Sequence, residues 1–333
     1  MKICVLGGGS WGTSLAIHLK RAGHTPALWV FDQAQAIQMA KTRENPTFLP
    51  GAVLEPDILV TNSIEEAVND AEGIAIVVPS QVVRATAANA SPYVGKDVWV
   101  ACAAKGLEDG THLRLSEVLK ENFKSKPSIA VLSGPSHAEE VLKKMPTTVV
   151  VASDESPTAS TVQTAFHWDY FRVYTATDLV GVELGGALKN VIAIAAGITD
   201  GLGLGDNAKA ALMTRGLHEI TRLGTALGAK STTFAGLTGM GDLIVTCTSR
   251  HSRNRLLGEK LGKGASLKSA LGEMVMVAEG ANTARAALFL AQKVKVEVPI
   301  IEEVNQVLFN GKGAKDALKS LLSRSAKAEK DLE

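Results

Sequence analysis

The residues with the most evident chemical capacity open the chain. Gly7-Gly8-Gly9-Ser10-Trp11-Gly12 satisfies G-x-G-x-x-G directly after the apolar run at 3–6. In such a turn each glycine has a mechanical role. Gly7 makes the tight bend, Gly9 lets a pyrophosphate approach, and Gly12 lets helix and strand pack closely. The amides of Ser10 and Trp11, at the start of the following helix, would then face the phosphates. A glycine-rich turn that binds nothing is the bland alternative, and its place at the head of an alternating α/β half counts against it. The same residues spell G-x-S-x-G, with Ser10 where a hydrolase nucleophile would sit. That elbow normally follows several strands, and here only one precedes it, so a hydrolase is the runner-up.

About 20 residues past the turn stands Asp32, the acidic residue the dinucleotide fingerprint expects at the end of the second strand. It could equally be a surface aspartate that ends a strand. Phe31 beside it could cover one face of an adenine ring. No arginine or lysine stands at this strand end to meet a 2′-phosphate, so NAD is favoured over NADP.

A second set lies further along. The segment 184–198 carries a single charge, Lys189. A helix apolar nearly all round must be buried, and a desolvated lysine has a lowered pKa, which suits it to acid–base work near neutrality. Snorkelling to water is the alternative; the flanking glycines, which would let a ligand approach, favour function. Thr238-Gly239-Met240-Gly241-Asp242 reads as a tight glycine turn ending in a carboxylate. Asp242 could orient Lys189, accept a substrate hydroxyl, or cap a helix. Ser249-Arg250-His251-Ser252-Arg253-Asn254-Arg255 gathers cations and hydroxyls able to clamp a phosphate monoester, although a solvated basic loop is the ordinary explanation. Lys105 and Gly134-Pro135-Ser136 follow the last two strong strands of the first half, at the carboxyl ends where open α/β sheets bind ligands.

The elements that must position these residues change character near residue 178. Before it, short apolar runs at 3–6, 25–31, 58–60, 74–78, 98–103, 129–132 and 148–151 alternate with helix-length segments. Ser63-Ile64-Glu65-Glu66 has the spacing of a capping box. Such runs read as strands buried on both faces and linked by right-handed crossovers. The fold class is therefore α/β, a Rossmann-type doubly wound and mostly parallel sheet, followed by an all-helical C-terminal domain. Helices are expected at 208–227, 253–261, 267–272, 283–293 and 300–308, with fraying from about 323. The domains are placed at 1–180 (dinucleotide-binding) and 181–333 (helical, substrate-binding and catalytic).

The 333 residues suit two domains on a prior of about 150 residues each. With 35 Lys plus Arg against 34 Asp plus Glu, the formal charge is +1, which removes the main source of affinity for nucleic acid or an anionic membrane. Cys4, Cys102 and Cys247 lie far apart, each in an apolar, strand-like context, and read as buried thiols rather than disulfides. No histidine pair or C-x-x-C supports a metal site. The four apolar residues before Gly7 are too few for a signal peptide, and the run at 191–198 is too short to span a membrane. A cytoplasmic location follows as the expectation.

Beside this reading of the residues, the chain resembles the bacterial NAD(P)-dependent type of glycerol-3-phosphate dehydrogenase over essentially its full length. The resemblance rests on GGGSWGTSLA at 7–16, AAKGL around Lys105, SGPSHAEEV at 133–141 and GGALKNVIAIAAGI at 185–198. It continues through GLTGMGDLIVTCTS at 236–249, SRNR at 252–255 and VAEGANTA at 277–284. It implies that Lys189 is the catalytic acid/base. It implies substrate contacts at Lys105, Gly134, Ser136, Lys189, Asp242, Ser252, Arg253 and Asn254, and cofactor contacts at Ser10, Trp11, Lys105, Ala138, Arg253, Val277 and Glu279. It further implies reversible hydride transfer between C2 of sn-glycerol 3-phosphate and NAD or NADP, in a homodimer that supplies phospholipid synthesis, with the pocket between the domains. Many bacterial members carry an arginine where this chain has Phe31, and Trp29-Val30-Phe31 is closer to the NAD-specific eukaryotic relatives. Two competing readings are a related 3-hydroxyacid dehydrogenase, such as one acting on 6-phosphogluconate, and a non-catalytic NAD-sensing protein.

Overall fold

A computed structural model describes residues 1–274, 276–326 and 329. Its strands are β1 (Lys2–Leu6), β2 (Thr25–Trp29), β3 (Glu44–Asn45), β4 (Leu49–Val53), β5 (Leu59–Thr61), β6 (Gly73–Ile76), β7 (Trp99–Cys102), β8 (Ser128–Ser133), β9 (Thr147–Ala152) and β10 (Phe171–Ala176). Eight of them form one sheet in the order β10-β9-β8-β7-β6-β1-β2-β5, while β3 and β4 make a separate hairpin. Every pairing in the large sheet is parallel except β8 with β9. Strands β6 and β7 are buried at every residue, which is why they read as unbroken apolar runs.

Strand order reverses between β1 and β6, whose neighbours run outward in opposite directions along the sheet. A crevice at such a switch point is where open α/β sheets take their ligands. The glycine turn leaves β1 there and enters the helix Ser10–Arg21. Ser63 caps the helix Ile64–Val68 by accepting from the Glu66 N–H, as the capping-box spacing predicts.

The chain divides into two compact units. One comprises Met1–Lys105 and Arg114–Val182; the other comprises Gly106–Leu113 and Glu183–Glu333. The change of hydrophobic period predicts a single boundary near 180 and carries no sign of the excursion at 106–113. The second unit is helical, built from Gly205–Ala226, Asp242–Thr248, Arg253–Gly262, Leu267–Gly272, Gly280–Lys293, Pro299–Phe309, Ala314–Leu322 and the greater part of Leu179–Gly201. The last of these is long and apolar enough to cross a membrane by length and composition, with mean hydropathy 1.6, but 94% of that window is buried inside the protein. The expected fraying after 323 falls in part on 327–328 and 330–333, outside the described residues.

All three cysteines are buried thiols. Cys4 and Cys102 lie on strands, but Cys247 corrects its strand-like reading: it sits in the helix Asp242–Thr248. Its apolar neighbours mark a buried helix face, which a short run cannot distinguish from a strand.

Candidate active site

The glycine turn is built as its spacing requires. Gly7 has φ +138°, and a Cβ there would lie 2.8 Å from the Val77 carbonyl group, so only glycine lets β1 and the residues after β6 come so close. A Cβ on Gly12 would overlap the Gly7 carbonyl oxygen at 1.8 Å. Gly9 differs from both: its φ is −76°, and a Cβ would meet nothing within 4 Å. Nothing in the fold itself therefore demands glycine at that position, which fits a cradle that a dinucleotide phosphate would fill. Gly9 is also the N-cap of the twelve-residue helix, which has no acidic side chain in its first turn and no side-chain cap, the polarity an anion prefers. Ser10 and Trp11 are its first residues; Ser10 is buried, and Trp11 packs toward Phe171 at 6.5 Å.

Phe31 stands just past β2 and is 82% exposed, edge-on to Trp29. Asp32 caps the helix Gln33–Thr42 by accepting from the Gln35 N–H at 2.7 Å. At the ends of β7 and β8, the Lys105 ammonium donates to the Gly134 carbonyl (2.8 Å) and to Ser136 Oγ (3.3 Å). Gly134 needs its φ of +123°, with Val149 Cα only 3.1 Å from where a Cβ would stand. Ala138 begins the helix Ala138–Leu142, and its carbonyl accepts from Ser14 on the helix that follows the glycine turn.

In the helical unit the lysine is buried and does not snorkel. Lys189 is 5% exposed, and its Nζ lies 2.7 Å from Asp242 Oδ1 and 2.5 Å from Thr246 Oγ1. Asp242, 1% exposed, thus orients the lysine rather than capping a helix. Its carboxylate offsets the desolvation on which the sequence argument relied. The glycine-rich approach to Asp242 is also corrected: Leu237–Gly241 winds a π-helical turn that runs directly into the helix Asp242–Thr248. Gly239 permits it, because a Cβ there would lie 2.0 Å from the Phe234 carbonyl oxygen. Cys247, fully buried on the same helix, has its thiol pushed up to about 12 by burial, which disfavours the reactive thiolate.

The basic segment splits at Ser252. That residue is the N-cap of the helix Arg253–Gly262, accepting from the Arg255 N–H, and the helix has no acid in its first turn. Arg253 is half-buried and donates to the Val277 carbonyl at 3.3 Å, which brings together two residues expected at the cofactor; Glu279 is the N-cap of the helix Gly280–Lys293. Asn254 is buried in a relay: its Nδ2 donates to Asn190 Oδ1 (2.9 Å), while its Oδ1 accepts from the Gly280 N–H (2.9 Å).

Two of the glycines flanking Lys189, Gly185 and Gly197, are taken up by helix packing. A Cβ on Gly185 would stand 3.0 Å from the Thr238 carbonyl oxygen, and one on Gly197 only 1.9 Å from that of Arg255. A Cβ on Gly258 would in return stand 1.9 Å from the Ile194 carbonyl oxygen, so the two helices run in backbone contact. That contact seats Asn254 against Asn190. Thr246 and Asn190 are functional candidates that the sequence analysis missed. Thr246 lies one turn after Asp242 on the same helix face, and Asn190 is a buried amide beside the lysine.

A glycine turn at a sheet's switch point and a buried lysine–carboxylate pair in a helical unit define the class of two-unit, dinucleotide-dependent dehydrogenases. The model for the N-terminus of NAD-dependent glycerol-3-phosphate dehydrogenase matches residues 2–159, and the model for its C-terminus matches 178–319. The chain belongs to that family. It is 49% identical over 330 residues to a glycerol-3-phosphate dehydrogenase, NAD(P)+, of Citrifermentans bemidjiense, covering 98% of each chain. To its namesake from Bacillus anthracis it is 52% identical over 331 residues, covering 98% of this chain and 97% of the relative. The crystal structure of glycerol-3-phosphate dehydrogenase from Coxiella burnetii superimposes with a TM-score of 0.93 at 37% identity, over 97% of this chain and 99% of that one. Family membership removes the hydrolase reading of Ser10, which starts a helix after the first strand of the sheet.

Proposed function

We propose that the protein interconverts sn-glycerol 3-phosphate and dihydroxyacetone phosphate with NAD(P), and that the pairing of buried Lys189 with Asp242 and Thr246 is the observation that carries this reading. The nicotinamide cofactor supplies or accepts the hydride at C2. Lys189 Nζ gives a proton to the C2 oxygen during reduction and takes it back from the hydroxyl during oxidation. Asp242 and Thr246 hold Nζ in one place, so the proton moves along a fixed direction. Arg253 binds the substrate phosphate, together with the Ser252 hydroxyl and the amides of the helix start. Asn254 contributes chiefly by fixing that helix start, since its amide is engaged with Asn190 and Gly280. Lys105, Gly134 and Ser136, joined by the bonds of the Lys105 ammonium, are assigned to the substrate as well. The glycine turn would hold the pyrophosphate, with Ser10, Trp11 and Ala138 beside it, and Arg253, Val277 and Glu279 are assigned to the cofactor from the helical unit.

NAD is the preferred cofactor in this reading. The exposed ring of Phe31 suits an adenine face, and residues 30–33 offer no cation for a 2′-phosphate. The chain is assigned as a cytoplasmic homodimer that supplies glycerol 3-phosphate to phospholipid synthesis; light scattering at twice the chain mass tests the dimer. The reaction is tested by the fall in absorbance at 340 nm with dihydroxyacetone phosphate, run in parallel with NADH and NADPH. Oxidation of NADH well above that of NADPH is expected. Silence with both, from folded protein, would remove the substrate assignment.

A further inference from the structure

Beneath the glycine turn lies a buried amide that the reading above does not use. Asn45 is the second residue of β3, and the hairpin it belongs to carries it under the turn, where it is 1% exposed. Its Nδ2 donates twice, to the Gly8 carbonyl at 2.9 Å and to Thr13 Oγ1 at 2.8 Å. Its Oδ1 accepts from the Phe48 N–H at 3.2 Å, so the carboxamide cannot flip without losing the bonds to Gly8 and Phe48. The Gly8 carbonyl takes a second donor, Gln35 Nε2, at 3.2 Å. A carbonyl in a glycine turn gripped by two side chains is held against rotation, whereas glycine on its own leaves the peptide unusually free.

In a trans peptide the C=O and the following N–H point in opposite directions. With the Gly8 oxygen drawn toward Asn45 and Gln35, the Gly9 N–H is turned the other way, out of the fold. That is the N–H of the glycine whose missing Cβ leaves open space, at the N-cap of the helix. We infer that Asn45 is a positioning residue for the dinucleotide: by locking the Gly8–Gly9 peptide it presents the Gly9 N–H as a preoriented donor to the pyrophosphate. Thr13, fully buried one turn into the helix, completes the lock by accepting the second Nδ2 hydrogen. The energetic logic is preorganisation, in which orientation is fixed when the chain folds and is not paid for when the ligand binds.

The inference rests on the proposed cofactor, so the test begins with the parent protein. Its Kd for NADH and for ADP-ribose, which shares the pyrophosphate, is measured by titration calorimetry. No binding of either by the parent would overturn the cofactor reading itself. Given binding, Asn45→Leu is expected to weaken both ligands about 10- to 100-fold, the range of one charge-assisted hydrogen bond. Thr13→Val should weaken them several-fold, and Thr13→Ser, which keeps the hydroxyl, should bind within about twofold of the parent. The KM for dihydroxyacetone phosphate and kcat at saturating NADH should hold, a split that general loosening of the fold would not produce. Parent-like Kd values in folded Asn45→Leu would overturn the inference. Should that variant not fold, a parent-like Kd in Thr13→Val would overturn it in its place.

Discussion

Removing the carboxylate beside Lys189 should destabilise the helical unit more than almost any other single polar change. Asp242→Leu leaves an ammonium at 5% exposure without the partner that stands 2.7 Å away. Breaking a buried pair from one side costs about 3–5 kcal/mol, because an uncompensated charge stays inside. For a unit of about 160 residues, each kcal/mol moves the melting temperature by about 2–4 °C, so a fall of about 10 °C is expected. Lys189→Met should cost a similar amount, since it strands Asp242 at 1% exposure. The double variant Lys189→Met/Asp242→Leu replaces the pair by apolar groups of similar volume and should regain most of the loss. Differential scanning calorimetry on the four proteins gives the coupling, and turnover at 340 nm gives the catalytic side. The double variant should be stable yet slowed by a factor of about 10²–10⁴, the worth of a positioned acid–base group. If the single variants melt with the parent, or the double variant melts as low as either, the pair is not the desolvated, mutually dependent unit described here.

Other parts of the molecule give further tests. Gly258→Ala would press a methyl group onto the Ile194 carbonyl oxygen, 1.9 Å from the ideal Cβ, and should cost about 1–3 kcal/mol or more by overpacking; a melting temperature equal to the parent's would refute the helix contact. Arg253→Ala should raise the KM for dihydroxyacetone phosphate at least tenfold and erode the preference over dihydroxyacetone, and an unchanged preference would place the phosphate grip elsewhere. Burial pushes the His18 ring down to about 4 from 6.5, with Nε2 donating to the Phe166 carbonyl. The unfolded chain therefore binds that proton more readily, and the stability from neutral His18 is present above pH 6.5 and lost as pH falls toward 4, up to about 3 kcal/mol. Glu219, pushed up to about 7 by burial, acts with the opposite sign, losing stability as pH rises from about 4.5. The His18 effect must accordingly be read as the difference in urea-unfolding free energy between parent and His18→Gln across pH 4–6.5, and no difference would refute it.

Parallel strands such as β6 and β7 were readable because burial on both faces writes itself as a continuous apolar run. Strand β10 was not. Only one of its sides has a neighbouring strand, and its exposed Arg172 and Tyr174 alternate with buried Phe171 and Val173. Its free side is satisfied by side chains: Gln163 Nε2 donates to the Val173 carbonyl, and His167 Nδ1 accepts from the Val173 N–H. No local pattern records that substitution. The hairpin of β3 and β4 was hidden by Pro46 and Pro50, which read as breakers and not as strand. Its loss from the sequence reading also concealed Asn45, whose partners Gly8 and Thr13 lie more than 30 residues away.

The same limit governs the buried lysine. A lone charge in an apolar segment identified Lys189, because desolvation is a property of its own helix. Asp242 had to stay open as a partner, being 53 residues distant. The glycines show the difference most plainly. Gly197 and Gly201 on one helix, and Gly258 and Gly262 on the other, are each spaced four apart, so each pair lies on one face. Spacing alone was compatible with ligand access, which was the expectation for Gly197. The structure gives them to each other: Cβ atoms at Gly201 and Gly262 would lie 2.3 and 2.5 Å from the carbonyl oxygens of Glu259 and Ile198. Four absent methyl groups thus let two backbones touch, and that contact sets how far Ser252, Arg253 and Asn254 stand from Lys189. On the proposed reading the reach of the phosphate grip is decided by glycines outside the assigned substrate contacts, which is why Gly258→Ala should disturb KM even in protein that remains folded.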